Sequence, residues 1–137
     1  MRKYYPNMPQ KFRLTIKVTQ DVLDENDHVN NVEYLHWVQE IAKEHWHHYA
    51  TEQMQRDFYW VVLDHRIEYK GQAFLNDELS LVTYITKSTA VTTTRVVEIH
   101  KENKLITKAI TNWAMLKVEN RKPTRINDHI KELFELN

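Results

Sequence analysis

The sequence predicts an α+β domain: one curved antiparallel sheet of about five strands packed on a single long central helix. Three observations predict it. A strand-like run precedes one long helical run. Four further strand-like runs follow with no second long helix. The links among those four are short, which favours antiparallel neighbours over crossovers.

Residues 11–19 alternate, with Phe12, Leu14, Ile16 and Val18 facing one way and Arg13, Thr15 and Lys17 the other, as in a half-buried strand. Residues 20–29 form a polar loop. Residues 30–50 follow a helical period. Glu33, His36, Glu40, Lys43, Glu44 and His47 share one arc, and Val32, Tyr34, Leu35, Val38, Ile41, Ala42, Trp46 and Tyr49 spread over most of the rest. So wide an apolar arc belongs to a helix wrapped by other structure. Asn30 or Asn31 is its expected N-cap. Strands are expected at 58–69, 78–87, 91–100 and 104–118, the third rich in Thr and Val. The link at Glu102 and Asn103 reads as a hairpin. A short helix over 128–135 closes the chain. Gly71 is the only glycine, so turns needing positive φ fall to Asn and Asp. Asn26-Asp27, Asn76-Asp77, Asn103 and Glu119-Asn120 stand where those turns are expected.

The chain has 137 residues and no linker or repeat, so a single domain over 1–137 is expected. Lys plus Arg and Asp plus Glu number 19 each, giving zero formal charge. That balance argues against a broad nucleic-acid surface. It also removes charge repulsion against self-association. The absence of cysteine excludes disulfides, thiolate nucleophiles and Cys-based zinc sites. Residues 1–10 hold no long apolar run, and no segment reaches the ~20 apolar residues of a membrane span. A cytoplasmic protein with no membrane partner is expected.

The densest chemistry lies between Asp24 and Trp37, where a carboxylate-rich loop runs straight into the long helix. A helix start carries partial positive charge and unpaired N–H groups. A carboxylate just upstream can then act on a carbonyl that those groups polarise. The order Asp24, His28, Val29, Asn30, Asn31, Tyr34 resembles the D-x-x-G-H-V-N-N-x-x-Y signature of the hotdog-fold thioesterases of the 4-hydroxybenzoyl-CoA thioesterase type. Ile67-Glu68-Tyr69, Ala73 and Asn76-Asp77-Glu78-Leu79 resemble that family's I-x-Y…P-A…G-D-x-L. The stretch from Arg121 to Ile126 resembles its late G-R-P-x-R-I. The likeness runs over residues 12–127. It departs at Asp27 and Asn76, where the family has Gly, at Gln72, where it has Pro, and at Val22, where many members have Asp.

The resemblance implies the hotdog fold and hydrolysis of an acyl-CoA to a carboxylic acid and free CoA. It places the general base or nucleophile at Asp24, with a turn-capping carboxylate as the alternative role. The backbone N–H of Asn31 or Val32 is the expected oxyanion donor, and capping by Asn30 is compatible with it. His28, Asn30 and Tyr34 are expected around the substrate, His28 alternatively as a structural histidine. Tyr59 and Trp60 are expected along an acyl pocket or as plain packing. Arg121, Lys122 and Arg125 suit the phosphates of CoA, or form a solvated loop. Trp37, Trp46 and Trp113 read as core or interface residues.

His36, Glu44, His45, His47 and His48 invite a metal reading, but one E-x-x-H on one helix is short of a di-iron set. His45 falls on the apolar side and reads as a core histidine. No metal and no cofactor is expected, since CoA belongs to the substrate. The expected assembly is a homodimer or homotetramer with the acyl site between protomers. Two alternatives remain: an acyl carrier protein in place of CoA, and a non-catalytic acyl-binding module.

Overall fold

A computed structural model describes residues 11–136; residues 1–10, read above only for the lack of an apolar run, lie outside the described part. The elements run β1 (Lys11–Lys17), α1 (Asn31–Tyr49), α2 (Glu52–Asp57), β2 (Phe58–Tyr69), β3 (Glu78–Ser88), β4 (Thr92–Lys101), β5 (Lys104–Lys117) and α3 (Asp128–Leu133), with a 3-10 turn at Gln20–Val22. One five-stranded antiparallel sheet has the order β1-β3-β4-β5-β2. β1 and β2 are therefore its edges.

α1 starts one residue later than the pattern predicts, because Asn30 is the cap itself and accepts from Val32 N at 3.1 Å. Tyr34, Val38, Ile41, Ala42, His45 and Trp46 form its buried side. Val32 departs from the apolar arc: it is 67% exposed, while Tyr34 two residues on is buried. The short α2 is not anticipated by periodicity. Six residues give too little hydrophobic pattern, although Thr51 is a cap signal and accepts from Met54 N at 3.1 Å.

Two apolar clusters fill the interior. The first joins the early part of α1 to β1, β3, β4 and β5 through Phe12, Tyr34, Val38, Ile41, Leu79 and Ile99. The second lies at the far end of α1, where Trp46, Met54, Met115, Ile126, Ile130 and Phe134 meet. His45 is buried and stacks on Phe12 with ring centroids 5.4 Å apart, in its expected core role.

The near-absence of glycine shows directly in the backbone. Asp27, Asn76, Glu102 and Asn103 take positive φ of 62°, 70°, 49° and 64°. At the Glu119-Asn120 turn the left-handed residue is instead Arg121, at 59°, and Asn120 accepts from Lys122 N through its side chain. Gly71 is required for space rather than for φ. A Cβ there would lie 2.9 Å from Ile106 Cγ2.

Candidate active site

The loop before α1 is a tight hairpin. Asp24 N donates to His28 O at 2.9 Å, Asp27 N donates to Asp24 O at 3.1 Å, and Leu23 bridges Val29. Asp27 supplies the left-handed residue at the tip, where the resembling family uses glycine. Two links fasten the hairpin to the segment before β3: Val29 N donates to Ala73 O at 2.9 Å, and His28 bridges Phe74. Tyr34 holds the same segment from the helix side, its hydroxyl accepting from Ala73 N at 3.0 Å.

Three donors orient the Asp24 carboxylate. Oδ1 accepts from Asn26 N at 2.8 Å and His28 N at 3.4 Å, and Oδ2 lies 3.2 Å from His28 Nδ1. The turn-capping role of Asp24 is thus realised, and the carboxylate stays about one-quarter exposed, at 26%. The His28 ring meets the Phe74 ring edge-on with centroids 6.3 Å apart, and no described residue bonds its Nε2.

At the helix start the backbone donors differ. Val32 N–H is taken by the Asn30 side chain and Glu33 N donates to Asn30 O. Asn30 N donates to Val22 O at 3.1 Å. The Asn31 N–H has no acceptor among the described residues, and Asn31 is exposed. Of the two expected oxyanion donors, the cap consumes Val32 and leaves Asn31.

Tyr34 does not face a ligand within the protomer. It is only 2% exposed, its hydroxyl is spent on Ala73, and burial pushes that phenol's pKa up. Its part is to hold the 71–74 segment against the helix.

The remaining expected site residues gather elsewhere. Trp60 pairs with Met115 and Phe58 with Lys117, at the end of β2 opposite Tyr69. Arg121 N donates to Lys117 O and Thr124 N to Met115 O, so exposed Arg121, Lys122 and Arg125 stand at that same end. The Asp24 hairpin belongs to the other end, where Tyr69 Oη donates to Asn31 O at 3.4 Å. Twelve strand residues separate the two ends, about 40 Å of fully extended chain and less with twist. One protomer does not bring Tyr59, Trp60 or the basic cluster to its own Asp24.

Tyr59 and Trp60 instead line a cavity of about 370 Å³ beside Ala42, Trp46, Trp113 and Phe134. Arg95 also reaches it, from the inward face of β4. Sequence reasoning passed over Arg95 inside a Thr- and Val-rich strand. The alternation Thr93, Arg95, Val97, Ile99 was the available signal, since it sets a guanidinium among core-facing positions.

Two histidines of α1 have separate partners. His36 Nε2 lies 3.2 Å from Glu40 Oε1 on the exposed arc, and His45 Nδ1 lies 2.8 Å from Arg95 Nη1. Among the described residues no three potential ligands converge. No helix there is long and apolar enough to cross a membrane.

Comparison with known proteins places this geometry. A family model described as acyl-ACP thioesterase N-terminal domain matches residues 9–134. No curated protein matches. Among solved structures, a hypothetical protein from Aquifex aeolicus is similar at 22% identity and TM-score 0.81, over 90% of this chain and 98% of that one. A Staphylococcus aureus protein solved in complex with CoA aligns at 15% identity and TM-score 0.85, over 96% of this chain and 85% of that one. A 1,4-dihydroxy-2-naphthoyl-CoA thioesterase from Synechocystis aligns at 18% identity and TM-score 0.78, over 90% of this chain and 95% of that one. These likenesses share the sheet wrapped on a central helix. With the family match covering nearly the whole chain, the protein belongs to the acyl-ACP thioesterase family of hotdog-fold proteins.

Proposed function

We propose that this protein is a thioester hydrolase that cleaves an acyl-CoA, with Asp24 as general base or nucleophile and Asn31 N–H as oxyanion donor. The observation that carries the reading is the pairing of an oriented, partly exposed carboxylate with an unclaimed amide at the start of α1. In the base route, Asp24 takes a proton from water, and the water oxygen attacks the thioester carbonyl. The C–S bond then breaks, and the thiolate leaves and is protonated. In the nucleophile route, the carboxylate attacks the carbonyl carbon, the C–S bond breaks and the thiolate leaves and is protonated, and water then cleaves the resulting anhydride and frees Asp24. One oxyanion donor is worth about 3–4 kcal/mol in hydrolases where a side-chain donor has been removed.

The split between the two ends of β2 supports an active site shared by two protomers. β2 is a twelve-residue edge strand with no partner on one side in the protomer, and such an edge is a template for pairing. Two-fold antiparallel pairing along β2 sets the Tyr59 end of one chain beside the Tyr69 end of the other. It thereby brings Trp60, Arg121 and Lys122 of one protomer towards Asp24 of its partner. The basic side chains then suit the phosphates of CoA.

Thiol release from a panel of acyl-CoAs, wild type against Asp24→Asn, tests the reading. A loss of about 100-fold or more is expected, and equal rates reject Asp24. Two further readings rest on specific observations. His28 Nε2 bonds no described residue while its Nδ1 faces Asp24, the arrangement of a histidine base oriented by a carboxylate. In that case His28→Gln loses as much as Asp24→Asn. The family match is to an acyl carrier protein thioesterase domain, which favours that carrier. Parallel assays with one acyl chain on both carriers decide between them.

A further inference from the structure

The face of the sheet turned away from α1 gathers polar side chains of its own. In β1, β3 and β4 the buried residues Leu14, Leu79, Leu81 and Ile99 pack towards the helix, so the residues between them point to the opposite face. Register sets Arg13 opposite Val82, Val82 opposite Glu98, and Ser80 opposite His100. The β4–β5 hairpin, with Glu102 and Asn103 at φ of 49° and 64°, brings Asn103 to the same place. Arg13, Ser80, Val82, His100 and Asn103 line a groove of about 480 Å³ there, a volume within the range of small-molecule sites.

Its bonding groups are unspent, and one is held in a fixed orientation. The side chains of Arg13, Ser80 and Asn103 are exposed and bond no described residue. His100 Nε2 lies 2.9 Å from Glu98 Oε1, and Glu98 Oε2 accepts from Tyr84 Oη at 2.5 Å. A carboxylate only accepts, so the shared proton sits on Nε2 and the neutral ring presents Nδ1 as an acceptor. Burial pushes the Glu98 carboxyl up, but hydrogen bonds from Tyr84 and His100, with the charge of Lys108, outweigh it and leave the group below the usual glutamate range. Glu98 thus keeps both oxygens engaged beside the groove. Glu78, the carboxylate two residues before Ser80, stands opposite Lys17.

Two demands on a ligand follow. Arg13 is a forked donor that suits an anion, a phosphate above all. His100 Nδ1 needs a donor, which a phosphate dianion lacks and a hydroxyl supplies. Two strand spacings across the sheet and two residues along it separate the Cα atoms of Arg13 and His100, about 12 Å, so one ligand can meet both side chains. The walls hold no Phe, Tyr or Trp, which disfavours an apolar body.

We infer that this groove binds a small phosphate ester of a polyol, its phosphate on Arg13 and a hydroxyl donating to His100 Nδ1, with Ser80 and Asn103 bonding the rest. The inference goes beyond the proposed hydrolysis and does not rest on it. β1 is the sheet edge opposite β2, and none of Asp24, Asn31, Trp60 and Arg121 lines the groove.

Nuclear magnetic resonance of the full-length, 15N-labelled protein reads the site directly, through the His100 ring and the amides of Ser80 and Asn103. The protein is titrated at pH 7.5 with glucose 6-phosphate, and in parallel with methyl phosphate and with glucose. Glucose 6-phosphate is expected to shift those signals saturably and to bind at least about tenfold tighter than either fragment. Arg13→Met is expected to weaken it at least about tenfold, and His100→Phe to bind it no better than methyl phosphate. Asp24→Asn is expected to bind it as wild type does. Methyl phosphate or glucose binding as tightly as the ester, no saturable shift, or shifts that leave Ser80, His100 and Asn103 untouched would overturn the inference. So would undiminished binding by a folded Arg13→Met. Should the variants not fold, the three-ligand comparison on the wild type still decides.

Discussion

Asp27 shows how single residues carry this architecture. It takes φ of 62° at the tip of the site hairpin, a conformation that costs ordinary L-residues about 1–2 kcal/mol and that Asp and Asn tolerate best. Asp27→Gly is expected to shift stability by less than about 1 kcal/mol, since relief of φ is offset by a freer unfolded chain. Asp27→Val is expected to destabilise by about 1–2 kcal/mol, because a β-branched side chain resists that region. Urea denaturation of the two variants checks both values. The same residue shows what the sequence made legible. Glycine's scarcity pointed to Asn and Asp in the tight turns, and three of the four expected turns use them there. The fourth does not: Asn120 satisfies its turn by accepting from Lys122 N, and the strain passes to Arg121. A side chain that can cap or bend does not announce from sequence which it does.

At the scale of elements, the 74–77 turn ties the sheet to the site. Asp77 Oδ2 accepts from Phe74 N at 2.8 Å and lies 2.7 Å from Lys101 Nζ. Ala73 and Phe74, just before it, hold the Asp24 hairpin. Partial burial pushes the Asp77 carboxyl up, but hydrogen bonds from Lys101 and Phe74, with the Lys101 charge, outweigh it and leave the group below its usual 3.8. A carboxylate whose folded pKa lies below its unfolded one adds stability above the unfolded value. That stability is lost as pH falls through the folded value. Wild type should therefore lose stability with acidification from about pH 4 downward more steeply than Asp77→Asn, measured as the melting temperature against pH. Helix and strand boundaries were legible because periods of 3.6 and 2 persist over many residues. α2 was not, because its six residues hold a single apolar side chain, Met54, and Thr51 alone is a weak signal.

At the scale of the whole molecule, the candidate site was legible only in half. Asp24, His28, Asn30 and Asn31 are neighbours in sequence, and the hairpin keeps them neighbours in space. Tyr59 and Trp60 were expected along an acyl pocket, as strand residues facing the helix start. A rod of 19 residues delivers the chain to its opposite end instead. Sequence proximity fails wherever a long element lies between two residues. Assembly along β2 would restore the connection, with Leu63, 56% exposed near the middle of that edge, close to the two-fold axis. Leu63→Asp is expected to convert a dimer to monomer in sedimentation velocity, because like charges meet across such an axis. Thioester hydrolysis should fall with it while Asp24 stays intact. Activity undiminished in a monomeric variant would show that one chain suffices.

The chain's solitary glycine has a reach beyond its own position. Lys70 N and Gly71 N both donate to Ile106 O, and the backbone passes so near Ile106 that even a methyl group at 71 meets its branch at 2.9 Å. Ile106 is buried and cannot retreat. An added carbon must then lift the crossing off β5, and two residues later that crossing supplies both hydrogen-bonding groups of Ala73. A lesion in the hydrophobic interior would thus reach the Asp24 carboxylate, proposed to react, by leverage and from a distance.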